Sequence, residues 1–321
     1  MPAKPPAPAF DATLARMYKR RGADTLPAHL EAAHGVAPGQ VQQLDVGVFR
    51  VDRRPGTPVV ARMFSARRAH DAVLGDLAVL EVLRAAEFPA ERPFGPEPVS
   101  RHDGQSVLVT DFVRGVPESA RPAGDPIVAL GSLVARLHLA VRPAGTADRP
   151  AGALHHYAEG TPADELRAAG RWLRDIEPRV AVADRDQLEV LRRALAGADD
   201  AAGLPEAFVH PDPVPKNAIF TSGGPVLVDW AGAGRGPRLA SLALVLRSSW
   251  AGPRFMRGYA AAVELDAEER RRAPDLLMTR ALIDIAFRVC REPGRISQQV
   301  KGLAAVRRRT EALAAAALAA V

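Results

Sequence analysis

Apolar positions along this chain change period twice. From Leu44 they fall in short β-like runs, Leu44–Val51, Pro58–Phe64 and Gln105–Phe112, rich in branched and aromatic residues. Arg53-Arg54-Pro55-Gly56 between the first two runs predicts a hairpin turn. Between the second and third runs the spacing predicts a helix over about Ala69–Ala86. The first third therefore reads as a sheet with one inserted helix. After Gly115 the period becomes helical. Asp125-Pro126 is a helix start, with an N-cap acid and Pro in the first turn, and Ile127, Leu130, Val134 and Leu137 follow at helical spacing. Thr161-Pro162 and Asp184 open two more helices, a β-hairpin is expected at about Ala218–Val228, and Pro253 to Val321 reads as helix. Residues 11–40 are expected to hold one or two short helices, and the Pro/Ala-rich residues 1–10 to be disordered. No internal repeat is present.

Composition narrows the class without naming it. With 321 residues, 47% hydrophobic and 25% charged, the chain can bury a sizeable core. No apolar run approaches the roughly 18 residues that span a membrane, and MPAKPPAPAF lacks the apolar centre of a signal peptide. The single Cys290 excludes an intrachain disulfide framework and suits a reducing compartment; a cytoplasmic location is expected. The formal charge is +6, which raises nucleic-acid binding as a possibility. The arginines, however, are spread along the chain and mixed with acids, without the aromatic interleaving of single-strand binders. Neither nucleic acid nor membrane is expected as a partner.

The chemistry concentrates in FVHPDPVPKNAIFTSGGPVLVDWAGAGRGPR, residues 208–238. His210, Asp212 and Asn217 form H-x-D-x4-N, followed by a hairpin and Asp229. Ala218-Ile219-Phe220 is one strand, Thr221–Pro225 the turn and Val226-Leu227-Val228 the return. Folding back brings Asp229 to Asn217, so that a carboxylate and an amide oxygen converge as hard ligands suited to Mg2+. Asp212, upstream on the same loop, can face a substrate hydroxyl. Phosphoryl transfer needs this set: a metal on the phosphates and a carboxylate that orients the nucleophile and takes its proton.

These residues resemble the aminoglycoside phosphotransferase-like family of small-molecule kinases. The likeness rests on HPDPVPKN, VLVDW and GAGRGPRLASLALVL, with VLVTDFVRG similar to the interlobe hinge and LGSLVARLH to the helix after it; it runs from about Val41 to Trp250. It implies an α+β, protein-kinase-like fold, with an N-lobe over 11–113, a helical C-lobe over 114–321, and ATP or GTP with Mg2+ between them. Asp212 would be the base, Asn217 and Asp229 the metal ligands, and His210 a brace of the loop. Backbone groups of Asp111 and Val113 would meet the adenine edge, Thr110 would guard the back of the pocket, and Gly47 would lie in the loop covering the phosphates. A protein kinase fits less well: Val214 stands where a Lys is usual, and Asp229 is followed by Trp230 rather than Phe-Gly.

Such folds carry a strand Lys on the phosphates, paired with a helix acid. No Lys lies between Lys19 and Lys216; Arg62 in VVARMF stands at the matching position, and its guanidinium fork can perform the role. On a helical wheel Asp76 falls amid Ala72, Val73, Leu77, Val79, Leu80 and Leu83, whereas Glu81 falls on the polar side. A carboxylate on an apolar face needs a partner, so Asp76 is the expected partner of Arg62. Lys216 is expected either on phosphate or in solvent. Arg235 and Arg238 read as structural pairs, Ser241 as a hydroxyl tie between helix and loop, and His155-His156 lacks acids or Cys at ligand spacing. Two other classes remain: a nucleotide-binding pseudokinase with a regulatory or scaffolding role, favoured by Arg62, the glycine-poor loop and Ser241, and a basic nucleic-acid binder. The C-terminal helices, Ala251–Val321, hold more base than acid, which points to a neutral or anionic hydroxylated acceptor rather than a polycation.

Overall fold

A computed structural model describes residues 20–66, 68–152 and 161–320. The 1–10 segment and His155-His156 lie outside the described residues. A short helix α1 (Leu26–His34) precedes a sheet built from β1 (Pro38–Asp45), β2 (Val48–Arg53), β3 (Val59–Met63), β4 (Val99–His102) and β5 (Gln105–Asp111), with helix α2 (His70–Ala85) inserted after β3. The strands are antiparallel in the order β1-β2-β3-β5-β4.

Two details differ from the sequence expectation. The run Leu44–Val51 is not one strand: it turns at Val46-Gly47, with Asp45 paired to Val48 and Gly47 at φ 71°. The segment expected to cover the phosphates is thus a tight two-residue turn, and Gly47 supplies the left-handed backbone it requires. Strand β4 was not anticipated, although Asp103-Gly104, both at positive φ, is a hairpin-turn signal joining it to β5.

Strand periodicity sorts the sheet into two faces. Val59, Ala61, Met63, Val107 and Val109 pack under α1 against Leu26 and Leu30. Arg62 alternates out of that core onto the opposite face, where β3 pairs Arg62 with Leu108 and Val60 with Thr110. Helix α2 covers this second face, with Val73, Val79, Leu80 and Leu83 buried beside Leu108. Arg62 and Thr110 therefore look toward the same space.

The rest is mainly helical. Helices α3 (Pro126–Ala140), α4 (Pro162–Asp175) and α5 (Arg185–Ala196) precede strand β6 (Glu206–Val209). The ribbon β7 (Ala218–Thr221)–β8 (Gly224–Leu227) follows, then β9 (Gly234–Pro237), which pairs with β6. Helices α6 (Arg238–Leu246), α7 (Gly252–Ala260), α8 (Ala267–Arg291), α9 (Ile296–Lys301) and α10 (Leu303–Leu318) complete the chain. The starts at α3 and α4 form as the sequence predicts: Asp125 accepts from the amides of Ile127 and Val128, and Thr161 with Asp164 forms a capping box. Helices α3 and α7 cross closely because Gly131 and Gly258 face each other's backbones; a Cβ at Gly131 would lie 2.0 Å from the Phe255 carbonyl oxygen. No helix among the described residues is long and apolar enough to cross a membrane.

Candidate active site

The loop after β6 is held by its own side chains. His210 is fully buried, receives the Asp212 amide on Nδ1 at 3.0 Å and donates from Nε2 to the Val228 carbonyl at 3.1 Å. Burial pushes its pKa down, against the attraction of Asp229 and Asp212. A neutral, doubly bonded imidazole in contact with Trp230, ring centroids 4.5 Å apart, braces the loop and is unsuited to proton transfer. Asn217 donates from Nδ2 to the Asp212 carbonyl at 2.9 Å and to its carboxylate at 3.0 Å, leaving the amide oxygen for another partner. Lys216 is exposed, with Nζ 3.3 Å from Asp212 Oδ2.

The ribbon does what the sequence predicts of it. Ala218 pairs with Leu227, and the Val228 amide donates to the Asn217 carbonyl at 3.0 Å, which sets Asp229 next to Asn217. Asp229 takes a left-handed backbone, φ 69°, uncommon for a residue with a Cβ. Across the cleft, Arg62 Nη1 lies 2.9 Å from Asp229 Oδ1. Burial works to lower the Arg62 pKa, but the carboxylates of Asp229, Glu91 and Asp76 offset it and the net shift is upward.

Asp76 requires a correction. It is buried on the apolar face of α2 as predicted, at 1% exposure, but its partners are Arg68 (2.9 Å), Arg149 and the Gly232 amide (3.2 Å), not Arg62. A wheel reports which face a side chain occupies; it cannot report a cation arriving from a loop 73 residues away. Arg149 also donates to the carbonyls of Ala72 and Ala233, so Asp76 ties α2 to the segment after Asp229. Glu81 lies on the exposed side, paired with Arg84.

Glu91 was not singled out by sequence reasoning. Its carboxylate is buried, accepting the Asp229 amide at 2.9 Å and the Thr110 hydroxyl at 3.1 Å. Burial raises its pKa, while Arg62 and the Asp229 amide pull it back down. The one available signal was an acid inside the Pro-punctuated apolar stretch FPAERPF.

Other named residues sort themselves. Asp111 ends β5 with its side chain exposed and its amide committed to the Arg92 carbonyl at 2.8 Å; Val113 follows on the connecting strand-free segment. Arg235 pairs with Asp148 and Arg238 with Glu269. Ser241 bonds the Arg238 carbonyl within its own helix rather than tying helix to loop, because a hydroxyl is too short to replace the reach of a carboxylate.

The donor set fits a hard divalent cation: the Asn217 amide oxygen and the Asp229 carboxylate lie on neighbouring ribbon ends. Among the described residues no group of three or more His, Cys, Asp or Glu could cage a metal, so a cation here would complete its shell with water and substrate oxygens, as Mg2+ commonly does.

Comparisons with known proteins place the fold. The chain resembles an amicoumacin kinase solved with AMP-PNP, Ca2+ and Ami (15% identity, 91% of this chain and 95% of that one, TM-score 0.64). It also resembles an aminoglycoside phosphotransferase from Alicyclobacillus acidocaldarius (18% identity, 95% and 98%, TM-score 0.58) and a choline/ethanolamine kinase family protein from Mesorhizobium loti (18%, 94% and 99%, TM-score 0.58). At these identities the likeness establishes the fold, α+β, two-lobed and protein-kinase-like. No curated protein matches. The phosphotransferase enzyme family model matches residues 42–274, well over half of the chain, and the protein therefore belongs to that family.

Proposed function

We propose that this protein is a small-molecule kinase that transfers the γ-phosphate of Mg2+-bound ATP or GTP to a hydroxyl of its acceptor. One observation carries the reading: Asp212, Asn217 and Asp229 are gathered by one loop and one ribbon, with Arg62 across from them. In this reading the nucleotide lies between an N-lobe over 11–113 and a C-lobe over 114–321, its adenine against the backbone of Asp111 and Val113. Asn217 and Asp229 hold the cation, which when bound neutralises charge on the phosphates. Asp212, kept in place by Asn217 and His210, takes the acceptor proton, and Arg62 donates to the phosphates. Gly47 lies in the turn above them.

The acceptor in this reading is neutral or anionic. Buried acids in the helical part are already matched by cations: Glu165 by Arg280 and Glu269 by Arg238. Arg280 and its partner Glu165 line a recess with Pro211 and Ser241. Acids already paired in this way offer a polycationic acceptor no unmatched carboxylate. A nucleotide-consumption screen across hydroxylated metabolites and antibiotics, with Asp212→Asn as blank, tests the proposal. A pseudokinase is the second reading, favoured by the Arg62–Asp229 pair, which occupies the metal carboxylate; nucleotide binding without turnover on any acceptor would select it.

A further inference from the structure

Glu91 is anchored from three directions. Its own segment is zipped to the ribbon: Ala90 bridges Leu227, the Leu227 amide donates to the Pro89 carbonyl at 3.1 Å, and the Glu91 amide to the Leu227 carbonyl at 3.3 Å. Its carboxylate takes the Asp229 amide on one oxygen and the Thr110 hydroxyl on the other. It also lies near Arg62: Thr110, which it holds, shares a sheet face with Arg62, and Asp229 contacts both residues, so the Glu91 carboxylate adds to the field that keeps that guanidinium charged.

We infer that Glu91 is the standing counter-charge of Arg62 and the positioning residue of Asp229, taking the part that a helix acid would play. The inference rests on the proposed kinase reading. Asp76 cannot take that part, because both its oxygens are engaged by Arg68, Arg149 and the Gly232 amide. Arg62 cannot rely on Asp229 alone either, because a carboxylate that ligates a cation is withdrawn from its ion pair. Glu91 keeps this half-buried guanidinium compensated when that happens, and such compensation decides whether a desolvated charge is tolerated. It also holds the amide of the left-handed Asp229, and so fixes where the Asp229 carboxylate points.

Two measurements test this. The first needs no ligand: a double-mutant cycle in denaturant unfolding with Arg62→Met, Glu91→Gln and Asp76→Asn. Coupling of about tenfold in the unfolding constant is expected between positions 62 and 91, and distinctly weaker coupling between 62 and 76. The opposite pattern overturns the inference. The second measures nucleotide binding against Mg2+ concentration. Glu91→Gln, nearly isosteric, is expected to raise the half-saturating Mg2+ concentration about tenfold or more, as loss of a partner behind a metal ligand does; Glu91→Asp should recover part of it. A purely structural Glu91 would lower thermal stability and leave the Mg2+ midpoint unmoved, which overturns the inference; turnover by the wild-type chain separately upholds the kinase reading. Absence of nucleotide binding by the wild-type chain overturns both.

Discussion

Arg62 reaches across the cleft to Asp229, Nη1 to Oδ1 at 2.9 Å, joining the third strand of the sheet to the end of the ribbon. Asp229 is expected to govern nucleotide binding and Asp212 the chemical step.

Asp212→Asn should abolish phosphoryl transfer and leave Mg2+–nucleotide affinity nearly unchanged, because Asp212 meets Asn217 and Lys216 rather than Arg62 and in the proposed reading faces the acceptor. Asp229→Ala should weaken nucleotide binding itself. Calorimetric titration of both variants decides; equal loss of affinity would contradict the division.

Asp76 predicts a stability effect of a different size from its helix neighbour. Removing its carboxylate strands Arg68 and Arg149 beside a buried position, and Asp76→Ala is expected to cost on the order of 3–5 kcal/mol. Glu81→Ala, which loses an exposed pair with Arg84, should cost about 0–1 kcal/mol. Urea unfolding measures both, and similar losses would refute the assignment.

The α3–α7 crossing leaves no room for a methyl group. Gly258→Ala would drive a Cβ to 1.9 Å from the Val128 carbonyl oxygen, and should cost roughly 1–3 kcal/mol through overpacking. An unchanged melting temperature would mean that the helices are not packed this closely in solution.

His138 contributes to the pH dependence. It meets the Tyr259 hydroxyl at 2.8 Å, and burial, reinforced by Arg238, pulls its pKa down to about 3. The unfolded chain binds that proton near its ordinary value of about 6.5, so between the two values unfolding takes up a proton. Stability should be full above about pH 6.5 and fall toward acid, and His138→Gln should flatten that flank. Thermal melts from about pH 4.5 to 7.5 test it; an equally steep flank in the variant would rule His138 out.

The matched acids Glu165 and Glu269 predict poor use of polycationic acceptors. Kanamycin-type substrates should turn over slowly and saturate weakly. Saturation at micromolar concentration with fast turnover would reverse the charge argument.

By itself the sequence determined the features that local physics sets. The ribbon between Asn217 and Asp229 follows from two apolar triplets and a Gly-Gly-Pro turn. The starts of α3 and α4 follow from their caps, and the burial of Asp76 follows from its helix face. Each depends on residues within about one turn or one hairpin of each other. Tertiary structure alone decided which charges meet. Arg62 belongs with Asp229 and Glu91, and Asp76 with Arg68 and Arg149. Asp229 and Glu91 are 138 residues apart in the chain, and a pairing made through space by the docking of a strand, a loop and a ribbon leaves no periodic trace in the order of the residues.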